Sequence, residues 1–467
     1  MTTLITGGTG LIGTLGATAL DAVHLSFLLA DGRTLHATRQ RLVDDRAREL
    51  KSWIGTFEDQ PGSLVVLGTY RGATTGFLSY GAELWEILPA REYGRVILYR
   101  FDDSQLASAE PSLVPRKVKE APLPSDYGTG GATAEMLEAG YVHDLLVVYT
   151  PASRVRYGRL ALESMIQSAV QAANQAYRNS GVAITLNLVG LQEVEYEESK
   201  DMKASLRRLE ARRDGQLDSV HALRDKVGAD VVTLVSEDDD SCGIAWSMKG
   251  ETPSGASTAF NVVQAGCLSN QSLAHEVGHN QGNMHDRDST SNVGAFAYSY
   301  GYRRCTGDGT GFRTVMAYAC KGVARVARFS SPSLTYNGEP MGVGYEADPE
   351  NSADNVRSMN NTADTVAAFR TPPGSRAASP PQHLSAWTSA PGTVVLHWFD
   401  ASALETGYKV ERSTNGLDFT EIAMLGADAT NFVDNDAGSA TRYYYRVRAY
   451  NSRGNSAFTE IRDVGMW

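Results

Sequence analysis

His275-Glu276-Val277-Gly278-His279-Asn280-Gln281-Gly282-Asn283-Met284-His285-Asp286 reads H-E-x-x-H-x-x-G-x-x-H-D. On a helix, residues four apart share a face, so His275 and His279 point the same way. Two neutral imidazoles at that spacing can grip one Zn²⁺ at roughly 2.0–2.1 Å each. Glu276 lies beside the first histidine, in reach of a water at the metal, and is the candidate general base. Gly282 falls where the helix should stop. A glycine there can take a positive φ and turn the chain sharply, returning His285 as a third ligand. Three protein ligands leave a fourth position open, the layout of a catalytic rather than a structural zinc site. Three of only nine histidines at these offsets, with Glu and Gly also in place, is an improbable accident.

The extended pattern resembles that of the metzincin zinc endopeptidases. With Asn280 and Asp286 it is most similar to their reprolysin (adamalysin) branch. The resemblance implies a Met turn in Thr314-Val315-Met316-Ala317-Tyr318-Ala319-Cys320, with the Met316 thioether packed beneath the ligand imidazoles. Tyr318 departs from the reprolysin pattern. Other metzincin branches place a tyrosine there as an extra zinc ligand or transition-state donor, so Tyr318 is a candidate catalytic residue or a pocket wall. Gly243-Ile244-Ala245-Trp246 resembles the edge strand before the zinc helix. An edge presents unpaired N–H and C=O groups to which an extended peptide can add, which is a physical reason to expect a polypeptide substrate. Asp286 is expected to make supporting hydrogen bonds around the site rather than to act directly.

The chain of 467 residues is too long for one ordinary core. A net charge of -11 without a basic block argues against nucleic-acid binding. No run of eighteen apolar residues exists, so no membrane span is expected. The four cysteines, Cys242, Cys267, Cys305 and Cys320, cluster around the histidine motif. In a secreted enzyme they read as two disulfides, Cys242 with Cys267 and Cys305 with Cys320 being the local pairing among three connectivities.

Along the chain, Thr6 to Gly13 contains G-x-G-x-x-G, with Asp31 near the ribose-binding spacing. A dinucleotide fold also needs repeated βαβ units. Residues 35–110 instead read as short strands at 63–70, 75–80, 84–88 and 96–101. The first 22 residues make a poor signal peptide, having no Lys or Arg before Arg33. The segment from about 23 to 105 resembles a reprolysin propeptide through Trp53–Phe57 and Pro61–Leu67; a permanent β-sandwich accessory domain is the alternative. With no cysteine before Cys242, inhibition by this segment could not use a thiol. It would have to cover the cleft, most simply along the 243–246 edge. Residues 107–140 and 372–382 are Pro- and Gly-rich linkers, and Arg116-Lys117 is a plausible processing site.

From Tyr141 the pattern is strand (145–150), helix (156–179), strand (182–188), helix (201–227, broken near Asp214-Gly215) and strand (230–235), an α/β unit with a mixed sheet. Glu237-Asp238-Asp239-Asp240 could hold Ca²⁺, but it lacks the alternating ligand spacing of a calcium loop and is expected to be solvated. The last 85 residues show short strands, Trp398 and Tyr443 in the places of a fibronectin type III sandwich, and no indication of a ligand. The expectation is thus a multidomain α+β chain. It comprises a β-rich propeptide-like domain (1–106), a linker (107–140), a metzincin α/β catalytic domain with an active-site helix (141–371), a linker (372–382) and a fibronectin type III β-sandwich (383–467). The function expected is secreted, zinc-dependent hydrolysis of peptide bonds. The competing reading is an inactive or inhibited protease fold serving adhesion, which an intact Glu276 speaks against.

Overall fold

The computed structural model describes residues 5–6, 11–14, 17–29, 31–90, 95–101, 112–113, 140–249, 253–306, 311–320 and 323–370; from 378 to 465 it omits only 379, 401, 403–404, 428, 439–441 and 452–453. The glycines at 7, 8 and 10, Arg116-Lys117 and most of both linkers lie outside the described residues.

Nine strands form one antiparallel sheet at the N-terminal end: β1 (Ile5–Thr6), β2 (Leu11–Thr14), β3 (His24–Leu28), β4 (Thr34–Asp45), β5 (Leu50–Phe57), β6 (Leu64–Tyr70), β7 (Ala73–Tyr80), β8 (Glu83–Pro89) and β9 (Arg95–Phe101). Their order is β1-β2-β9-β8-β7-β6-β5-β4-β3. The β6–β7 hairpin turns on Arg71 and Gly72, both at positive φ, as a two-residue turn between twisted strands requires. Successive side chains alternate between faces. Trp53, Leu67 and Leu78 therefore join one core with Leu20 and Phe27, while their neighbours Ile54, Val66 and Phe77 join another. This second face is not a free surface. It shares a core with Met165, Ile166 and Ala169 of the long helix that follows. The segment is one sheet laid on the next domain, not a self-contained sandwich.

The second unit has a six-stranded mixed sheet, ordered β10-β14-β15-β13-β11-β12. Its strands are β10 (Ser112–Leu113), β11 (Tyr141–Tyr149), β12 (Ile184–Glu193), β13 (Val231–Ser236), β14 (Gly243–Trp246) and β15 (Phe260–Gln264). Strands β11, β12, β13 and β15 are parallel, and β14 runs antiparallel to β15. The helix expected from 156 is two: α1 (Pro151–Tyr157), capped by the Thr150 side chain, and α2 (Arg159–Ser180), with Gly158 at φ 82° between them. The next helix also breaks, into α3 (Met202–Glu210) and α4 (Asp218–Val227). Thr75 Oγ1 meets Ser164 Oγ of α2 at 2.8 Å, and the buried Glu86 carboxylate accepts from Ser269 and Tyr99, which ties the N-terminal sheet to the approach of the histidine helix.

That helix is α5 (Ser272–Asn280), wholly buried. Short strands β16 (Met284–Asp286), β17 (Tyr300–Gly301), β18 (Arg303–Arg304), β19 (Phe312–Arg313), β20 (Ala324–Arg325), β21 (Ser331–Tyr336) and β22 (Glu339–Met341) follow, and α6 (Asn355–Ala367) closes the unit. The acids after β13 have separate partners. Glu237 accepts from Ser153 and Arg156, Asp238 from Ser205 and Ser236, and Asp240 from the Met202 N–H. They do not converge on one point.

The C-terminal strands form two sheets. One is β23 (Gln382–Ala390), β24 (Thr393–Phe399) and β27 (Asn431–Asp434); the other is β25 (Gly407–Ser413), β26 (Thr420–Gly426), β28 (Arg442–Asn451), β29 (Gly454–Asn455) and β30 (Arg462–Gly465). Trp398 is fully buried between them. Tyr445, two residues beyond Tyr443, donates its hydroxyl to Asp434 at 2.8 Å.

Candidate active site

Gln271 enters α5 at φ 70°, and after the nine residues of the helix the chain turns at Gly282, at φ 92°. The Asn283 N–H returns to Gly278 C=O and the Gly282 N–H to His279 C=O, a glycine-dependent stop that satisfies the last carbonyls. A Cβ at Gly282 would lie 2.6 Å from that of Ala295, so the turn also needs the space. The chain then doubles back through β16 and delivers His285.

The three Nε2 atoms of His275, His279 and His285 stand 3.0, 3.1 and 3.2 Å apart, all buried. His275 Nδ1 lies 2.8 Å from Val315 C=O, and His279 Nδ1 lies 2.8 Å from Asn283 C=O. A carbonyl only accepts, so both Nδ1 atoms carry the proton and both Nε2 atoms present lone pairs. Lone pairs facing one another at 3 Å repel unless a cation lies between them. Ligands at roughly 2.0–2.1 Å around a tetrahedral ion would sit about 3.3 Å apart, close to this spacing. The trio therefore fits a metal ion, and among the described residues it is the one group of three or more such side chains that does so.

Glu276 is fully buried beside the trio. Gly243 of β14 leaves it room: a Cβ there would fall 2.4 Å from Glu276 Oε1. Beneath the helix lies Met316, whose Sδ would be 2.6 Å from a Cβ on Gly278. The glycine within H-E-V-G-H thus leaves room for the Met316 thioether. Tyr318 stacks at a tilt on His285, with ring centroids 4.2 Å apart. Asp286 Oδ2 accepts the Tyr318 backbone N–H at 2.9 Å, and its Oδ1 faces Arg303 Nε at 3.0 Å, so this carboxylate fixes the turn to the third histidine.

Some anchors were given no role from the sequence, although Asn280 belongs to the motif. Asn280 Nδ2 donates to Trp246 C=O and Phe260 C=O, locking the helix to β14 and β15. Gln281 accepts from Tyr177 and contacts His143, whose other nitrogen meets Ala363 C=O of α6. Burial pushes the Tyr177 phenol up, so it stays a donor. Cys242 pairs with Cys267 and Cys305 with Cys320, bracketing the site from both sides.

β14 is not an open edge. Ser112 and Leu113 run parallel to it, opposite Ala245 and Trp246. Two residues of the stretch read from sequence as a Pro- and Gly-rich linker thus add a strand where a substrate was expected to lie.

Residues 140–330 match Reprolysin_5, metallo-peptidase family M12. A peptidyl-Asp metalloendopeptidase of Stenotrophomonas maltophilia (strain R551-3) is 34% identical over 344 residues, covering 73% of this chain and 78% of that protein. Another, of Xanthomonas campestris pv. campestris, is 33% identical over 374 residues, covering 76% and 84%. A solved Fn3-like protein from Clostridium thermocellum aligns with 19% of this chain and 93% of its own at 31% identity, TM-score 0.18. With a histidine trio shaped for a metal and relatives aligned over three quarters of its length, the chain belongs to the M12 metallopeptidases and is a metalloendopeptidase.

Proposed function

We propose that the metal is Zn²⁺, held by His275, His279 and His285, and that the enzyme hydrolyses peptide bonds at aspartyl residues. The observation that carries the first part is the convergence of three Nε2 atoms, with Nδ1 of two of those rings hydrogen-bonded to carbonyls. Three imidazole nitrogens, which leave one position of a tetrahedral ion for water or substrate, suit zinc. When bound, the ion would polarise the scissile carbonyl and lower the pKa of water towards roughly 7. Glu276 takes the proton of the attacking water and passes it to the leaving amine. Its burial against Gly243 holds it in one place for both transfers. Tyr318, whose ring packs on His285, would donate its hydroxyl to the developing oxyanion. The basis for aspartate is the name borne by the relatives, peptidyl-Asp metalloendopeptidase.

The β14 strand is the substrate-binding strand, with Gly243, Ile244, Ala245 and Trp246 pairing to the extended peptide. In the full chain β10 holds half of it, which makes this form restrained. Two disulfides suit an oxidising, extracellular setting. Incubating the protein with a peptide library, with and without chelator and with zinc restored, tests metal dependence and specificity together. Hydrolysis indifferent to chelation would refute the zinc mechanism, and cleavage scattered over all residue types would refute the aspartyl preference.

A further inference from the structure

Three carboxamide side chains, Asn280, Gln281 and Asn283, flank Gly282, where the histidine helix gives way to the turn, and all three are buried. Burying a carboxamide is costly unless its hydrogen bonds are remade inside, and apolar side chains would fill the same space without that cost. Glycine adds no stiffness of its own, because without a Cβ its backbone is the least restricted of any residue. The turn is held still by what grips it from outside.

The grip comes from three other elements. Gln281 Oε1 accepts from the Tyr177 hydroxyl of α2 at 3.1 Å. Gln281 Nε2 lies 2.9 Å from His143 Nδ1 on β11, and His143 Nε2 lies 2.7 Å from Ala363 C=O of α6. An amide nitrogen only donates, so His143 Nδ1 accepts from it, and the ring proton sits on Nε2, which donates to the carbonyl. That order fixes which way round the Gln281 amide lies, and with it the oxygen turned to Tyr177. The Gln281 C=O accepts from Thr362 Oγ1 at 2.9 Å, and Asn283 Oδ1 accepts from Asn355 Nδ2 at 3.0 Å, both donors standing on α6. The chain is thus held on both sides of Gly282.

What the turn carries makes its position matter. The Asn283 C=O accepts from His279 Nδ1 at 2.8 Å and so orients the ring of the second histidine. Two residues further on, the same turn delivers His285. His275 is oriented from elsewhere, by Val315 C=O of the Met turn. Two of the three rings therefore take their places from one glycine turn.

We propose that this clamp sets the affinity of the site for its metal. Gln281 and Asn283, held by His143, Tyr177, Thr362 and Asn355, are positioning residues that keep His279 and His285 where the ion needs them. This rests on the zinc reading above and extends it to side chains that supply no ligand atom. Groups that orient metal-binding histidines from behind contribute roughly 10- to 100-fold in metal affinity.

The test is the zinc dissociation constant of the full chain, measured by competition with a chromogenic chelator, in variants shown to be folded by circular dichroism. His143→Leu removes the acceptor for Gln281. His143→Asn keeps an acceptor oxygen near the place of Nδ1. Asn355→Leu loosens the other side of the turn and serves where His143→Leu does not fold. Zinc should be held roughly 10- to 100-fold more weakly by the two Leu variants and within about threefold of wild type by His143→Asn. A merely structural role would lower the melting temperature of the metal-free protein in all three variants and leave the zinc affinity of the folded protein unchanged. Unchanged affinity in the folded Leu variants overturns the proposal while the zinc reading stands. Equal weakening by His143→Leu and His143→Asn overturns the route through Gln281. A wild type that binds no zinc overturns the zinc reading and, with it, the role given to the clamp.

Discussion

Gly243→Ala tests whether β14 sets the position of Glu276. The added Cβ would lie 2.4 Å from Glu276 Oε1, 2.6 Å from Cγ and 2.7 Å from Cδ, where ordinary contact begins near 3.4 Å. The shortfall, 3.4 − 2.4, is about 1 Å. Glu276 is fully buried, so the carboxylate has no solvent-facing space in which to swing aside, and it must move along the cleft. Misplacing a reacting group by about 1 Å costs on the order of 10²-fold, within the roughly 10²–10⁴-fold that a general base contributes. The expected loss in kcat/KM is therefore about 100-fold, or about 2.7 kcal/mol in the barrier. No metal ligand is touched, so zinc content should stay at the wild-type level. The assay is hydrolysis of one fluorogenic peptide, alongside metal analysis and thermal unfolding. A folded, metal-loaded variant within about threefold of wild type would refute the claim that Gly243 makes room for the base.

Reduction should destabilise the metallopeptidase unit and spare the C-terminal sandwich, because both disulfides lie between residues 242 and 320, and each contributes typically about 2–4 kcal/mol; four titratable thiols in the native protein would contradict this. Burial raises the Glu86 carboxyl above its ordinary value. The docked state then holds a proton that the undocked state loses, so its contribution to docking is complete below pH 4.5 and declines as pH rises through the docked value. Glu86→Gln should flatten that slope in a melting-temperature series, and an unchanged slope would place its origin elsewhere. Nicking the chain between 114 and 139 should raise activity by freeing β10 from β14, while the N-terminal sheet stays bound through its shared core. Equal activity before and after the nick would mean that β10 does not restrain the enzyme.

The parts of the site legible in the sequence were local. His275, Glu276, His279, Gly282 and His285 lie within eleven residues, and helix geometry relates them directly. The strands from 64 to 101 were legible because their hairpin turns and alternating side chains are also local signals. β4 and β5 were not, since charged residues such as Arg39, Arg41, Asp44 and Asp45 along β4 blur the alternation. Gly158 was hidden inside an amphipathic run that continues on both sides of it. What sequence could not give was set by register between distant segments. The room that Gly278 leaves for Met316, the room that Gly243 leaves for Glu276, and the grip of His143 and Asn355 on the Gly282 turn each join residues whose chain spacing carries no period. The sharing of Ile54, Val66 and Phe77 with the α2 core was likewise invisible, because a continuous apolar run shows that a strand is covered on both faces but not which element covers the second one.

The central claim is that the histidine trio holds a catalytic zinc and that Glu276 is its base. Glu276→Gln removes the base and no ligand. Metal analysis and peptide hydrolysis on the same sample of this variant test both halves at once. The account predicts about one zinc per chain, as in wild type, with kcat/KM lower by roughly 10²–10⁴-fold. A variant that keeps its zinc and hydrolyses the peptide within about tenfold of the wild-type rate would contradict it.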